Sequence, residues 1–125
     1  MKKLLITTAV GETATGLAML AFPSLVASLI LGSSLDTAVA LAVARVAGVA
    51  LVALGVACWL ARHDEHARAA RGLVGAMVFH NAGIFAVLVY GALSTGVSGI
   101  ALWPIVMVHA AMGVWCITSL GARHP

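Results

Sequence analysis

The stretch that decides the fold is Thr37 to Ala61, TAVALAVARVAGVALVALGVACWLA, an unbroken apolar run with one cation, Arg45, inside it. At about 1.5 Å of rise per residue, a helix of this length exceeds the roughly 30 Å hydrocarbon core of a bilayer. The run therefore reads as a membrane span. A lone arginine at that depth costs about 3 kcal/mol on insertion scales, so it should face protein or water and find an acceptor.

The composition of the 125-residue chain extends the same reading. It is 62% hydrophobic and 9% charged, too apolar for a soluble domain. Its net charge of +3 comes from basic residues that flank apolar runs, so the charge signals topology and implies no nucleic-acid partner. The fold class expected is an all-α integral membrane bundle of four spans in a single domain, 1–125.

Working outward, Met1-Lys2-Lys3 precedes an apolar segment that resembles a leader, but Glu12 interrupts it and no small-x-small cleavage site follows. An uncleaved first span over about 4–22 is expected, ended or kinked by Pro23. Ser24 to Leu31 is too short to span again and reads as an interfacial helix, with a continued, kinked first helix as the alternative. Gly32 to Asp36 is a turn, with Asp36 the expected N-cap of the second span, 37–61. The charged loop from Arg62 to Arg71 leads to a third span over 72–90. Gly91 to Gly99 is a Gly/Ser/Thr-rich connection, and Trp103-Pro104 opens a fourth span over 103–120.

With four spans, Lys2, Lys3, Arg62, Arg68, Arg71 and Arg123 fall on one side and Asp36 on the other. The positive-inside rule then expects both termini and the central loop in the cytoplasm. Trp59 and Arg62 at one boundary and Tyr90 at the other are the expected interface anchors.

Each span carries one ionisable residue: Glu12, Arg45, His80 and His109, with Asn81 beside His80. Counted by helix rise from the basic ends, they fall into one layer, and Glu12 and Arg45 differ in depth by only about 6 Å. These five residues are the candidate binding site for a proton, an ion or a small polar solute. An ion pair between Glu12 and Arg45 that only fixes helix register is the competing expectation. Thr7, Thr8, Thr13 and Thr15 surround Glu12, and bonding to their own helix backbone is expected for most of them.

Soft donors stand close to the histidines. Met77-x-x-His80 and His109-x-x-Met112 place a thioether one turn from each imidazole, with Cys116 one turn further. Antiparallel neighbours would bring Met112 level with His80 and Cys116 level with Met77. Such a set suits Cu(I), and a His/Met pair suits haem, so His80, His109 and Met112 are the candidate metal ligands; methionine as packing material is the plainer reading. His63, His66 and His124 read as solvated loop and tail residues. Cys58 and Cys116 lack Cys-x-x-Cys spacing and sit toward the basic, reducing side, so no disulfide is expected. No phosphate loop, Ser/His/Asp set or carboxylate pair is present, and no catalytic residue is assigned.

Small residues at Ala40, Ala44 and Gly48, and at Gly72 and Ala76 with His80, are the expected sites of close helix approach. A bundle this small is expected to self-associate or to join a larger membrane complex, with the lipid bilayer as its surroundings.

Two resemblances follow from these residues. Glu12 resembles the first-helix glutamate of the small multidrug resistance transporters, four-helix antiporters that exchange protons; a cation beside it would hold it ionised and oppose that exchange. Arg45-Val46-Ala47-Gly48, Cys58-Trp59-Leu60-Ala61-Arg62 and Leu102-Trp103-Pro104 make most of the chain similar to the DoxX-like four-helix membrane proteins of bacteria. That resemblance implies an inner-membrane four-helix bundle and carries no catalytic residue. Three functions are left open: a binding or transport protein built on the polar layer, a haem or copper protein, and an accessory subunit whose polar layer only fixes packing.

Overall fold

The computed structural model describes residues 1–64 and 67–122; His66 and Arg123-His124-Pro125 lie outside them. The described chain is all helical: α1 Lys2–Ala21, α2 Pro23–Leu31, α3 Ala38–Ala61, α4 Arg68–Ser94 and α5 Leu102–Gly121. Four of these, α1, α3, α4 and α5, are long and apolar enough to cross a membrane. The chain is a multi-pass membrane protein built as an all-α bundle.

Local chemistry explains each boundary. Phe22 leaves helical geometry at φ −133°, ψ 56°, and Pro23, with no N–H, starts α2 as its first residue. The second short helix is thus separate from α1. It ends at Gly32, whose φ of +81° is the left-handed conformation that glycine adopts without a side-chain penalty. The cap of α3 is Thr37, whose Oγ1 accepts a bond from the Ala40 N–H at 3.1 Å. Asp36, the cap expected from the sequence, instead accepts from the Ser34 hydroxyl at 2.7 Å. The helix α4 starts earlier and ends later than the expected span: Arg68 to Arg71 carry no helix breaker, and a single glycine, Gly91, costs only about 1 kcal/mol against Ala, so the backbone bonds continue to Ser94.

The helices associate as two antiparallel pairs, α1 with α3 and α4 with α5. The first seam is built on glycine. A Cβ on Gly16 would stand 2.6 Å from the Gly48 carbonyl, and one on Gly48 would stand 2.8 Å from the Gly16 carbonyl. Gly55 lies against Ala9 and Thr13 in the same way. Removing the side chains lets the backbones approach closely, which is how helices gain contact where burial from water gives no driving force. Gly48 therefore performs the role expected of it, whereas Gly72 faces open space.

In the second pair, Gly113 faces Asn81, and Arg71 Nη2 donates to the Leu120 carbonyl at 2.9 Å. This register puts Met112 level with His80 and Cys116 level with Met77. The two pairs meet in a core at the end that carries Lys2, Lys3, Arg62, Arg68 and Arg71, formed by Leu4, Leu5, Ala9, Cys58, Val74, Met77 and Cys116. At the opposite end, α2 ties the pairs together through its link to the strand-free connection before α5. Ala101 N donates to the Leu29 carbonyl at 2.8 Å, Ser98 N donates to the Leu31 carbonyl, and Gly99 packs directly on the backbone of Leu29 and Ile30.

Candidate functional site

The glycine seam sets the depth of every polar residue on α1 and α3. With Gly16 beside Gly48 and Gly55 beside Ala9 and Thr13, Glu12 is level with the Gly55 turn and Arg45 is level with the last turn of α1. The expected Glu12–Arg45 pair does not form. Arg45 is exposed on α3, and its Nε donates to the Leu20 carbonyl at 3.4 Å. That carbonyl belongs to the last turn of α1, where the Pro23 break leaves helix oxygens without their usual donors. A cation there also faces the negative end of the helix dipole. From Leu20 back to Glu12 is about 12 Å of helix rise, roughly twice the offset expected by counting inward from the helix ends.

Glu12 turns instead to α4. Its Oε1 lies 3.4 Å from His80 Nε2, and both side chains are largely enclosed. His80 in turn faces His109 of α5, with ring centroids 6.1 Å apart and the planes tilted by 41°. A carboxylate and two imidazoles from three different helices thus converge inside the membrane-spanning part of the bundle. Among the described residues this is the one intramembrane carboxylate brought to a titratable partner.

The tautomer of His109 follows from its neighbour. Nδ1 lies 2.9 Å from the Ile105 carbonyl, which can only accept, so the neutral ring carries its proton on Nδ1. Nε2 is then a hydrogen-bond acceptor. Asn81 is in the core but occupied locally: its Nδ2 donates to the Met77 carbonyl at 2.7 Å, and its packing is against Gly113. It supports the α4–α5 seam and stands next to the cluster in sequence.

Thr8 departs from the backbone bonding expected for most of the threonines around Glu12. It is 3% exposed, and its Oγ1 has no hydrogen-bond partner, not even its own helix backbone. Buried hydroxyls are nearly always paired, and an orphan is worth about 1–3 kcal/mol of lost solvation. It lies one helical turn from Glu12, on the side of the core. The signal available in sequence was only a threonine at i−4 from an intramembrane glutamate, which back-bonding explains equally well.

The soft donors lie beside the same cluster. His80 and His109 do come together, and Met112 packs half-buried against the core. Among the described residues, no group of three or more His, Cys, Asp or Glu side chains is placed to hold a metal ion; the expected His80, His109 and Met112 set, two imidazoles and a thioether, is of a different kind. Cys58 and Cys116 are free thiols, wholly buried in the same core as Met77. Outside the bundle, His63 is exposed, and the Arg62 guanidinium stacks 3.7 Å above the Trp59 ring and donates to the Trp59 carbonyl, which fixes both residues at the boundary.

The fold and the cluster define a class: a small polytopic helical membrane protein with a carboxylate–imidazole–imidazole set in its interior. No protein-family model, curated protein or solved structure matches the chain.

Proposed function

We propose that Glu12, His80 and His109 form an intramembrane site that binds and passes a proton, or a small polar solute exchanged for one. The observation that carries this reading is the 3.4 Å approach of Glu12 to His80 with Arg45 held away at Leu20. A fixed guanidinium would keep the carboxylate ionised, whereas an imidazole can release and accept a proton. The partner of Glu12 therefore decides whether the site can cycle. His109, within one ring spacing of His80, extends the set toward α5, and the orphan Thr8 hydroxyl extends it toward the basic end.

As part of the same proposal, the protein belongs to a bacterial inner membrane. Lys2, Lys3, Arg62, Arg68 and Arg71 support a cytoplasmic location for the basic end by the positive-inside rule. Large apolar side chains, among them Phe79 on α4 and Val39 on α3, stay outside the bundle, where lipid or a second copy would cover them. Lipid covers them in a monomer.

Proteoliposomes enclosing a pH-sensitive dye test the site. Proton uptake along an imposed gradient is expected to exceed that of protein-free vesicles and to fall at least tenfold in Glu12→Gln. Infrared difference spectra across pH should show a carboxylic C=O band that is absent in the same variant. Wild-type vesicles that behave like empty ones, together with no such band, would sink the proposal.

A further inference from the structure

Arg45 alone among the cations lies well inside a span, about 10 Å of helix rise from the start of α3. It is exposed, and its guanidinium is under-used. Of five N–H donors, only Nε–H has a partner among the described residues, the Leu20 carbonyl at 3.4 Å. No carboxylate answers it. Glu12 is turned to His80 of α4, and Asp36 accepts from the Ser34 hydroxyl. A lipid-facing cation at this depth still needs an acceptor for Nη1 and Nη2.

Two features aim that head at the nearer membrane boundary. Side chains of a helix tilt toward its N-terminus, which for α3 is the Asp36 end, and the Leu20 carbonyl lies in the last turn of α1, at the same end. An arginine so directed lays its stem on apolar surface and brings its charge to the headgroup level. Below Arg45 the same stripe of α3 continues at helical spacing through Val49 and Val56, both exposed. Val56 walls a groove of about 380 Å³ between α3 and α1, and so do Val10 and Leu17, which are also exposed. The groove is thus on the outside of the bundle, where a spanning pair meets lipid. Arg45 stands just beyond its Leu17 end, since Leu17 is one turn from Leu20.

We propose that Arg45 binds the phosphate of a glycerophospholipid in the leaflet on the Asp36 side, with one acyl chain of that lipid in the groove between α1 and α3. A phosphodiester presents two charged oxygens to the paired N–H groups of a guanidinium, and it is the anion that a bilayer holds at that level. Diacylglycerol has the chains without the anion. Inorganic phosphate has the anion without the chains. Only a phospholipid uses both the free donors of Arg45 and the apolar furrow below them. Arg45 thereby finds in the lipid the acceptor that Glu12, engaged with His80, does not supply.

Solid-state NMR of protein isotopically labelled at arginine Cζ, in phosphatidylglycerol bilayers and phosphate-free buffer, tests the contact. The Arg45 signal, identified as the one missing from Arg45→Lys, should be dephased by lipid phosphorus. In bilayers of a glycosyl diacylglycerol, which holds no phosphorus, inorganic phosphate in the buffer should leave that signal intact. After a detergent wash, the wild type should retain one phosphatidylglycerol per chain that Arg45→Met loses. Arg45→Lys keeps the charge without the paired donors and should retain an intermediate amount. Val56→Trp, which adds an indole to the groove wall and leaves Arg45 in place, should also lower retention. An Arg45 signal untouched by lipid phosphorus, dephasing by inorganic phosphate in the glycolipid bilayers, or full retention in Arg45→Met or Val56→Trp would overturn the proposal.

Discussion

The two sides of α1 were given opposite treatments. Its face toward α3 is closed by Gly16, Gly48 and Gly55, and the backbone carbonyls of one helix fill the space where side chains of the other would stand. Its face toward α5 is left open beside α2. Each side carries a groove. The one over the closed seam, about 380 Å³, runs past Val10, Thr13 and Leu17 to Gly55 and Trp59, the smaller one, about 290 Å³, lies between Ala14, Thr15 and Ala18 and the start of α5, and neither is lined by a titratable group. What separates the two sides is that the rigid seam fixes the depth of Glu12 to within a turn, while the Glu12 side chain itself turns to His80 of α4.

The largest effect should come from filling the closed seam. Gly16→Val would drive methyl groups into the Gly48 carbonyl and Val52, and neither backbone can withdraw without separating the pair. A loss of about 3 kcal/mol or more is expected, at or above the upper end of ordinary overpacking, read as a drop in thermal stability in detergent. Were Gly16→Val as stable as the wild type, the rigid-seam account of α1 would fail.

Next in size is the coupling of Glu12 to His80. Glu12→Gln and His80→Phe should each alter stability, and the double variant should depart from the sum of the two by about 0.5–3 kcal/mol. The matched cycle of Glu12→Gln with Arg45→Met should add to within about 0.5 kcal/mol, since the two residues share no contact. Reversal of these outcomes would return Arg45 to the site. Arg45→Met alone removes one donor from the Leu20 carbonyl and should cost about 1 kcal/mol, with its effect confined to the α1–α2 junction. Amide exchange at Val26 and its neighbours in α2 is the local readout.

The smallest effects should fall where the comparison says nothing is packed. A Cβ on Gly75 or Gly83 of α4 meets no atom within 4 Å, so alanine there should be neutral or stabilise by less than about 1 kcal/mol through better helix propensity. Topology sharpens the comparison without altering it. His66→Cys should be protected from membrane-impermeant thiol reagents in intact cells and Ser94→Cys should react. The opposite pattern would put the basic end outside the cytoplasm.

Much of the fold was legible because a bilayer leaves few options. Apolar runs as long as Thr37 to Ala61 must be helical to satisfy their backbone groups, and Pro23 and Gly32 punctuate the chain by rules that need no partner. The paired level of Met77 with Cys116 and of His80 with Met112 followed from antiparallel neighbours alone. The cap of α3 was misplaced by one residue, since Asp36 and Thr37 are both good caps and only the turn geometry selects between them.

Sequence by itself determined that Glu12, His80 and His109 would lie inside the membrane, since each sits well within an apolar helix and helix rise fixes its distance from the ends. Which of them would meet was a tertiary decision. Depth counted from helix ends assumes that all helices begin in one plane, but the relative height of α1 and α3 is set where Gly16 locks against Gly48. That lock slides Arg45 to the broken end of α1 and leaves Glu12 to His80. The tautomer of His109, the orphan hydroxyl of Thr8 and the gap between α1 and α5 are likewise properties of which helices touch, and no span carries that information within itself.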